Sequence, residues 1–291
     1  MNLTETILES MVNLPPFPVV VQRAIQLIND PKSSAQDVVD AIQFDQSITA
    51  NVLKICNSAY FGVRRTIHSL REAVMMIGFN QLLEIILSQG SLALFAAPCK
   101  GYDLEQGGLW QHSVACALLT RIVSKRLGWE ETPTHFTAGL LHDIGKVVLN
   151  KFVKNYFDEI KVRVHEEHLS FVDAEQEVLG INHAELGGRI TAQWNFPESI
   201  VAAVRYHHAP ASAPQDHQIV DLICLCDTIA MITGIGGGAD GLSYHAYEEV
   251  IKQCNLGEND IDRFIVQLDD RFQLVKEVLH VNGDTRAEVL P

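Results

Sequence analysis

Seven histidine and aspartate residues between positions 112 and 227 are the side chains of this sequence best suited to metal chemistry. They are, in chain order, His112, His142, Asp143, His183, His207, His208 and Asp227. Imidazole nitrogens and carboxylate oxygens together form a suitable donor set for divalent transition metals. Five histidines and two aspartates are enough for two ions, with one bridging carboxylate and an open position for water. Because the chain has 12 histidines, any single His–Asp neighbour pair carries little weight, and only the set predicts a metal site.

Two of these segments are apolar apart from the polar residues of interest. His142 and Asp143 are predicted late in a helix, with Lys146 one turn beyond His142 on the same face. Asp227 lies within the apolar run Ile223–Met231, where an unpaired carboxylate would be costly to bury. These polar groups therefore need partners. For Lys146, the residues leave open either a contact to a phosphate or an ordinary salt bridge to a nearby carboxylate.

The elements that must position these residues are predicted to be helices throughout. Helix starts are indicated by three capping-box patterns, by Thr132-Pro133 and by a cap at Asn182 before His183. The capping boxes are Ser34–Asp37, Ser69–Glu72 and Ser170–Asp173. No stretch shows sustained alternation of polar and apolar residues with hairpin turns. The sequence therefore predicts an all-α fold.

Three connectors suggest how the helices are grouped. They are Ala96–Gly108, Ala209–Pro214 and the glycine-rich Thr233–Gly241. The last one resembles a phosphate-binding loop, but it has no following lysine of the Walker type and no preceding strand, which favours a flexible connector. We expect an N-terminal helical subdomain at 1–98, a metal-binding helical subdomain at 99–232 and a C-terminal helical extension at 233–291 that packs on the core.

Composition narrows the class of protein. The formal net charge of −14 argues against non-specific nucleic-acid binding, which requires a basic surface. Hydrophobic residues make up 47% of the chain, yet no apolar run approaches the ~18 residues that span a bilayer. The N-terminus has no signal-peptide pattern, and the six cysteines form no CxxC pair. A cytoplasmic protein without membrane or nucleic-acid partners is expected.

The order of the histidines and aspartates resembles the HD superfamily of metal-dependent phosphohydrolases, and most closely its HD-GYP-like branch. The similar segments are His-Asp-Ile-Gly-Lys146, Leu179–Gly187, Trp194–Pro197 and Tyr206-His-His208. A second resemblance, in the N-terminal half, is to the HDOD family, regulatory relatives of HD enzymes in bacterial signalling. Its segments are Leu14–Pro18, Asp45–Thr49, Leu53–Gly62 and Ala73–Gly78. Together the resemblances cover roughly residues 10–230 and imply an HD-superfamily-like helical bundle with an N-terminal HDOD subdomain.

The resemblance also implies a ligand set. One ion would be held by His112, His142, Asp143 and Asp227, and the other by Asp143, His183, His207 and His208. Asp143 would bridge the ions and act with Lys146 in catalysis, Lys146 being the phosphate-facing cation. Iron is favoured, with manganese or zinc as alternatives, because the donors include no thiolate. Two features depart from the family: Ala209–Pro214 lacks the Gly-Tyr-Pro loop, and Gly108 stands where some relatives have a glutamate ligand.

Three functions remain open from the sequence. The favoured one is a bacterial signal-transduction protein of HDOD type with a dinuclear site, whose partner is a signalling protein or a phosphate-containing small ligand. The alternative is an active phosphohydrolase or phosphodiesterase acting on a nucleotide or cyclic dinucleotide. The third is a diiron oxygen-sensing or oxygenase-like protein. The sequence leaves enzymatic activity undecided.

Overall fold

The fold is helical, as predicted from the punctuation of the sequence. The structure is a computed structural model that describes residues 2–14, 17–28, 30, 32–130, 132–239 and 247–287. Across these residues there is no β-strand, and the only strand-like pairing is an isolated bridge between Cys99 and Leu104. No helix within the described ranges combines the length and apolar character needed to cross a membrane.

The chain divides into two compact units. Described residues within 17–93 and 269–291 form one of them, which contains helices α2 (Val19–Ile28), α3 (Ala35–Ile42), α4 (Gln46–Cys56), α5 (Leu70–Ile77) and most of α6 (Phe79–Phe95). Described residues within 1–16 and 94–268 form the other. Its helices are α1 (Leu3–Val12), α7 (Gly108–Leu127), α8 (Pro133–Leu141), α9 (Ile144–Asn155), α10 (Phe157–Glu166), α11 (Phe171–Leu179), α12 (His183–Gln193), α13 (Glu198–Tyr206), α14 (His217–Ile232), α15 (Tyr247–Gln253) and the first part of α16 (Glu258–Ala287).

Local capping explains where the helices of the smaller unit begin. The Ser34 side chain accepts from the Asp37 amide while Asp37 accepts from the Ser34 amide, which confirms the predicted capping box. After α4, the Asn57 side chain bonds both the amide and the carbonyl of Ile67 at 2.7 and 2.8 Å. This pairing closes the loop that precedes α5, so Asn57 has a structural role in this unit.

The larger unit is built around α7, which is buried along most of its length. Helices α8 and α14 pack against α7, and α13 packs against α8, α12 and α14. The α7–α8 contact is close because Gly139 has no side chain: a Cβ there would lie 2.8 Å from the Ala117 Cα. The helices that carry or adjoin the predicted histidines and aspartates are thereby brought to one region of the core.

The boundaries of the two units differ from the three predicted ranges. Helix α1, predicted with the N-terminal subdomain, packs on α9, and the Thr4 hydroxyl donates to the Leu179 carbonyl at 3.1 Å. Helix α15 lies in the range predicted as a C-terminal extension that packs on the core, and it packs on α14 of the larger unit. Long-range contacts of this kind leave no local signal in the sequence. The predicted 233–291 extension also includes residues 240–246 and 288–291, which lie outside the described ranges.

Candidate metal centre

The structure brings all seven predicted metal-site residues together in the larger unit. His112 lies in α7, Asp227 lies in α14 and His183 opens α12. The remaining four residues, His142, Asp143, His207 and His208, lie at or just beyond helix ends. Six of the seven are almost completely buried, whereas the side chain of His208 keeps 11% of its surface exposed. The centre is therefore a buried cluster with one member near solvent.

The prediction that His142 and Asp143 lie within one helix is wrong. Helix α8 ends at Leu141 and α9 begins at Ile144, so the pair forms the junction between two helices. Asp143 occupies the N-cap of α9 but does not cap it with its side chain. Its Oδ2 atom instead accepts from Lys146 Nζ at 2.5 Å. The carboxylate thus faces the cluster, and two turn residues interrupt the single helix that was predicted.

Two groups of ligand atoms can each hold a metal ion. One consists of His112, His142 and Asp227, and the other of Asp143, His183, His207 and His208; within each, the ligand atoms all lie within 4.8 Å of one another. Asp143 faces both groups. Its Oδ2 is 3.4 Å from His142 Nε2, and its Oδ1 is 3.5 Å from His183 Nε2.

The rings of His142 and His207 are oriented in the same way by their own helices. Each follows the last residue of its helix, and each Nδ1 lies 2.7 Å from the carbonyl oxygen three residues earlier, that of Gly139 or Val204. Because a carbonyl only accepts, Nδ1 carries the proton and Nε2 keeps its lone pair. Both Nε2 atoms are buried without a hydrogen-bond partner among the described residues. Orphaned nitrogen lone pairs beside carboxylates fit a bound divalent metal.

Two buried residues at this site were missed by the sequence reasoning. Glu175 accepts from the His183 amide at 2.9 Å and lies 2.7 Å from His183 Nδ1. Tyr102, in the segment predicted as a connector, donates its hydroxyl to the same carboxylate. One signal was available: Glu175 is spaced four residues from both Phe171 and Leu179, on the apolar stripe of α11. Tyr102 had no comparable pattern.

Charges within the cluster shift the pKa values of the carboxyls and the histidines in different directions. Burial would raise the pKa of Asp143, but the Lys146 ammonium and the surrounding histidines hold it well below its usual range. Burial likewise opposes ionisation of Asp227, but the hydrogen bond from His112 and the nearby ring of His142 lower its pKa. Burial, together with the neighbouring His142, lowers the pKa of His207 to about 3. The carboxylates and His207 are therefore in the forms that bind metal at neutral pH.

His142 behaves differently, and this leads to a pH prediction. Burial would lower its pKa, but the charges of Asp143 and Asp227 raise the pKa above 6.5. The proton on His142 thus stabilises the folded, metal-free protein fully below about pH 6.5, and this contribution is lost as pH rises through the raised pKa. Because the proton and the metal compete for Nε2, we expect metal affinity to increase with pH across this range.

Calorimetric titration of the metal-free protein with Zn²⁺ at pH values from about 6 to about 9 measures the affinity. Repeating the titration in buffers of different ionisation enthalpy gives the number of protons released on binding. We expect proton release to fall as the pH rises. His142→Ala should lose this pH-dependent part. An affinity that does not change over the range would contradict the assignment.

Lys146, predicted to face a phosphate, is turned inward. Its side chain is buried, its ammonium pairs with Asp143 Oδ2, and it lies 5.6 Å from the centroid of the Tyr102 ring. The salt bridge that the sequence left open is therefore present.

The glycine-rich connector after α14 lies close to α7 beside the metal centre. A Cβ on Gly236 would lie 2.9 Å from the His112 amide nitrogen. Asp240 and Gly241 of that connector lie outside the described residues.

Two known proteins are similar to this chain over most of its length. An uncharacterized protein of Treponema pallidum (strain Nichols) is 24% identical over 218 residues, which are 75% of this chain but only 42% of that protein. The crystal structure of an HDOD domain protein with unknown function from Geobacter sulfurreducens has 28% sequence identity and a TM-score of 0.70, covering 96% of this chain and 98% of that one.

A further solved structure extends the likeness in fold. A "putative metal-dependent phosphohydrolase" from Shewanella amazonensis SB2B has 19% identity and a TM-score of 0.57, covering 95% of this chain and 98% of that one. The model of the HDOD domain family matches residues 14–210, well over half of the chain. That range includes six of the seven clustered residues and parts of both compact units. The chain therefore belongs to the HDOD domain family.

Proposed function

We propose that this HDOD protein binds two divalent transition-metal ions, iron favoured, and acts as a cytoplasmic regulatory protein in bacterial signal transduction. One observation carries the metal assignment. The two oxygens of Asp143 point to different ligand groups, Oδ1 towards His183 and His207 and Oδ2 towards His112 and His142. A carboxylate in this arrangement is suited to bridge two cations. The matching orphaned nitrogens of His142 and His207 support the same proposal.

The residues of the chain prepare this centre before any metal binds. The helix-end carbonyls of Gly139 and Val204 hold two rings with their lone pairs directed inward. Lys146 compensates part of the carboxylate charge while the site holds no ion. Bound ions would supply Lewis acidity and lower the pKa of coordinated water.

A regulatory role is favoured over catalysis by the position of Lys146. Its ammonium is buried and paired with Asp143, so it is not presented to a phosphate group. The residues after His208, Ala209–Pro214, also lack the Gly-Tyr-Pro loop of the HD-GYP enzymes. We propose that the metal centre stabilises or senses a state of the domain that a signalling protein recognises.

Phosphohydrolase activity is the second candidate, and the partial exposure of His208 supports it. That ligand gives the buried centre an edge near solvent, where a phosphate-containing ligand could replace a coordinated water. The name of the Shewanella structure supports the same candidate, although a likeness at 19% identity extends only to the fold.

Elemental analysis tests the proposal. Protein purified without a metal-affinity tag is compared with His142→Ala and with the control His165→Ala, whose histidine is exposed on α10. We expect about two equivalents of iron, manganese or zinc in the wild type and the control. His142→Ala should lose the ion of the His112 group. Wild-type protein that contains no metal and takes none up on reconstitution would refute the metal centre.

A screen of the metal-loaded protein separates the two roles. Phosphate esters and cyclic dinucleotides are supplied in turn, and phosphate or nucleotide release is measured for the wild type and His142→Ala. No turnover is expected for a regulatory protein. Turnover that is lost with the metal in His142→Ala would replace the regulatory proposal with the enzymatic one.

A further inference from the structure

We propose that Tyr102 and Glu175 are positioning residues that fix the ring of His183 and thereby set the metal affinity of the group containing Asp143, His183, His207 and His208. This inference rests on the proposed metal centre. Neither residue belongs to the seven clustered ligands, and both lie in segments that the sequence did not connect with the site.

The ring of His183 needs a hydrogen-bond partner from outside its own helix. His142 and His207 end their helices, so each finds a helix carbonyl three residues back to accept from Nδ1. His183 instead begins α12, and no carbonyl of its own helix precedes it. Its ring would be free to rotate or to change tautomer without another acceptor.

Glu175 supplies an acceptor for both the backbone amide and the ring of His183. A single oxygen, Oε2, accepts from the His183 amide at 2.9 Å and from Nδ1 at 2.7 Å, which ties the ring to its own backbone. With the proton on Nδ1, Nε2 keeps its lone pair and lies 3.5 Å from Asp143 Oδ1 and 2.9 Å from His208 Nε2. Two ring nitrogens this close need a shared proton or a cation. A carboxylate behind a histidine ligand also increases its basicity.

Tyr102 forms a hydrogen bond with the other oxygen of the Glu175 carboxylate. Its hydroxyl donates to Glu175 Oε1, so each oxygen of this buried side chain has a donor, as a buried charge requires. The Tyr102 ring packs beside Phe171 with centroids 5.7 Å apart. Glu175 is therefore held in one position between the tyrosine and the histidine.

The turn that carries Tyr102 is anchored to α9, the helix that follows Asp143. The Gly101 amide donates to Asn150 Oδ1 at 2.8 Å, and Asn150 Nδ2 donates to the Pro98 carbonyl at 3.3 Å. A Cβ on Gly101 would lie 2.5 Å from the Asn150 carbonyl oxygen, so the turn lies directly on the helix. A series of contacts thus connects α9, Tyr102, Glu175 and His183 in that order.

Two conservative variants test this series of contacts. Glu175→Gln keeps the shape but offers one acceptor oxygen to three donors, and Tyr102→Phe removes one of those donors. The matched controls are Glu177→Gln, at a half-exposed position of the same helix, and Tyr156→Phe, at a 36% exposed position just after α9. All are studied as full-length protein, with Zn²⁺ affinity measured by chelator competition and Co²⁺ bound for visible spectra.

In the wild type we expect two binding steps. Glu175→Gln should weaken one of them by about 10–100-fold and change the Co²⁺ spectrum of that site, leaving the other step in place. Tyr102→Phe should act in the same direction with a smaller effect, and both controls should match the wild type. Unchanged affinity in Glu175→Gln, or an equal loss at both steps, would overturn the inference.

A measurement on metal-free protein separates this inference from the proposed function. Long-range ¹H–¹⁵N correlation spectra of the histidine rings report the tautomer directly. We expect His183 as the Nδ1–H tautomer in the wild type and the controls, and a mixture of tautomers in Glu175→Gln. A wild type that shows this tautomer but binds no metal would refute the proposed function and retain the positioning role. A mixed tautomer in the wild type would overturn the positioning role.

Discussion

Asp143→Asn is expected to abolish metal binding at both ligand groups and to lower the free energy of unfolding of the metal-free protein by about 3–5 kcal/mol. The first effect follows from the position of the carboxylate, whose two oxygens face different groups. The second follows from Lys146. Its buried ammonium pairs with this carboxylate at 2.5 Å, so the substitution takes an anionic partner away from a charge in the core.

A second substitution separates the two effects. In the double variant Asp143→Asn/Lys146→Met the ammonium is removed together with its carboxylate partner, so stability should largely return while metal remains absent. Asp227→Asn serves as the comparison, because Asp227 belongs to only one of the two groups and should cost only the ion of that group. Metal content is measured by elemental analysis and stability by urea denaturation. Retention of two ions in Asp143→Asn would contradict a bridging role.

Gly145→Ala is expected to have a similarly large effect for a steric reason. A Cβ at position 145 would lie 1.9 Å from the His183 carbonyl oxygen and 2.9 Å from the Gly187 amide nitrogen. Both are backbone atoms, so no side-chain rotation relieves the clash, and α9 and α12 must separate. Overpacking of this kind costs about 1–3 kcal/mol and occasionally more. Because Asp143 precedes α9 and His183 opens α12, the separation should also weaken metal binding.

Gly108→Ala is the matched control for this variant. It lies in the first turn of α7, one turn before His112, and a Cβ there meets only the Leu104 side chain at 3.5 Å, an ordinary contact. Its stability and metal content should equal those of the wild type. Thermal unfolding and metal analysis of both variants check the prediction. Unchanged metal affinity in Gly145→Ala would show that the close approach of α9 and α12 does not position the ligands.

Local signals explain which parts of this molecule were predictable. The caps at Ser34 and Asn182 act within four residues, so the sequence contains the whole interaction, and both are confirmed. The break between α8 and α9 has no such signal. No proline lies at this junction, and Asp143, which could cap the new helix, bonds to the Lys146 side chain instead.

The seven predicted site residues could be recognised because their order along the chain resembles that of a known family. Glu175 lies outside that pattern, because its role depends on a contact between α11 and the start of α12. Tyr102 depends on a turn held by Asn150, 48 residues further along the chain. Glu175 and Tyr102 act on a metal ligand and are not ligands themselves. Their role therefore follows from the packing of the helices and not from the order of residues.

The two histidines that end α8 and α13 impose a constraint on chain length. Each helix has nine residues, and each ring is fixed by a carbonyl of its own last turn. Inserting or deleting one residue within either helix would rotate the ligand by about 100° around the helix axis, away from the centre. The connector after His208 carries no such angular requirement. Length variation among related chains should therefore be found in the connectors, while α8 and α13 keep their register.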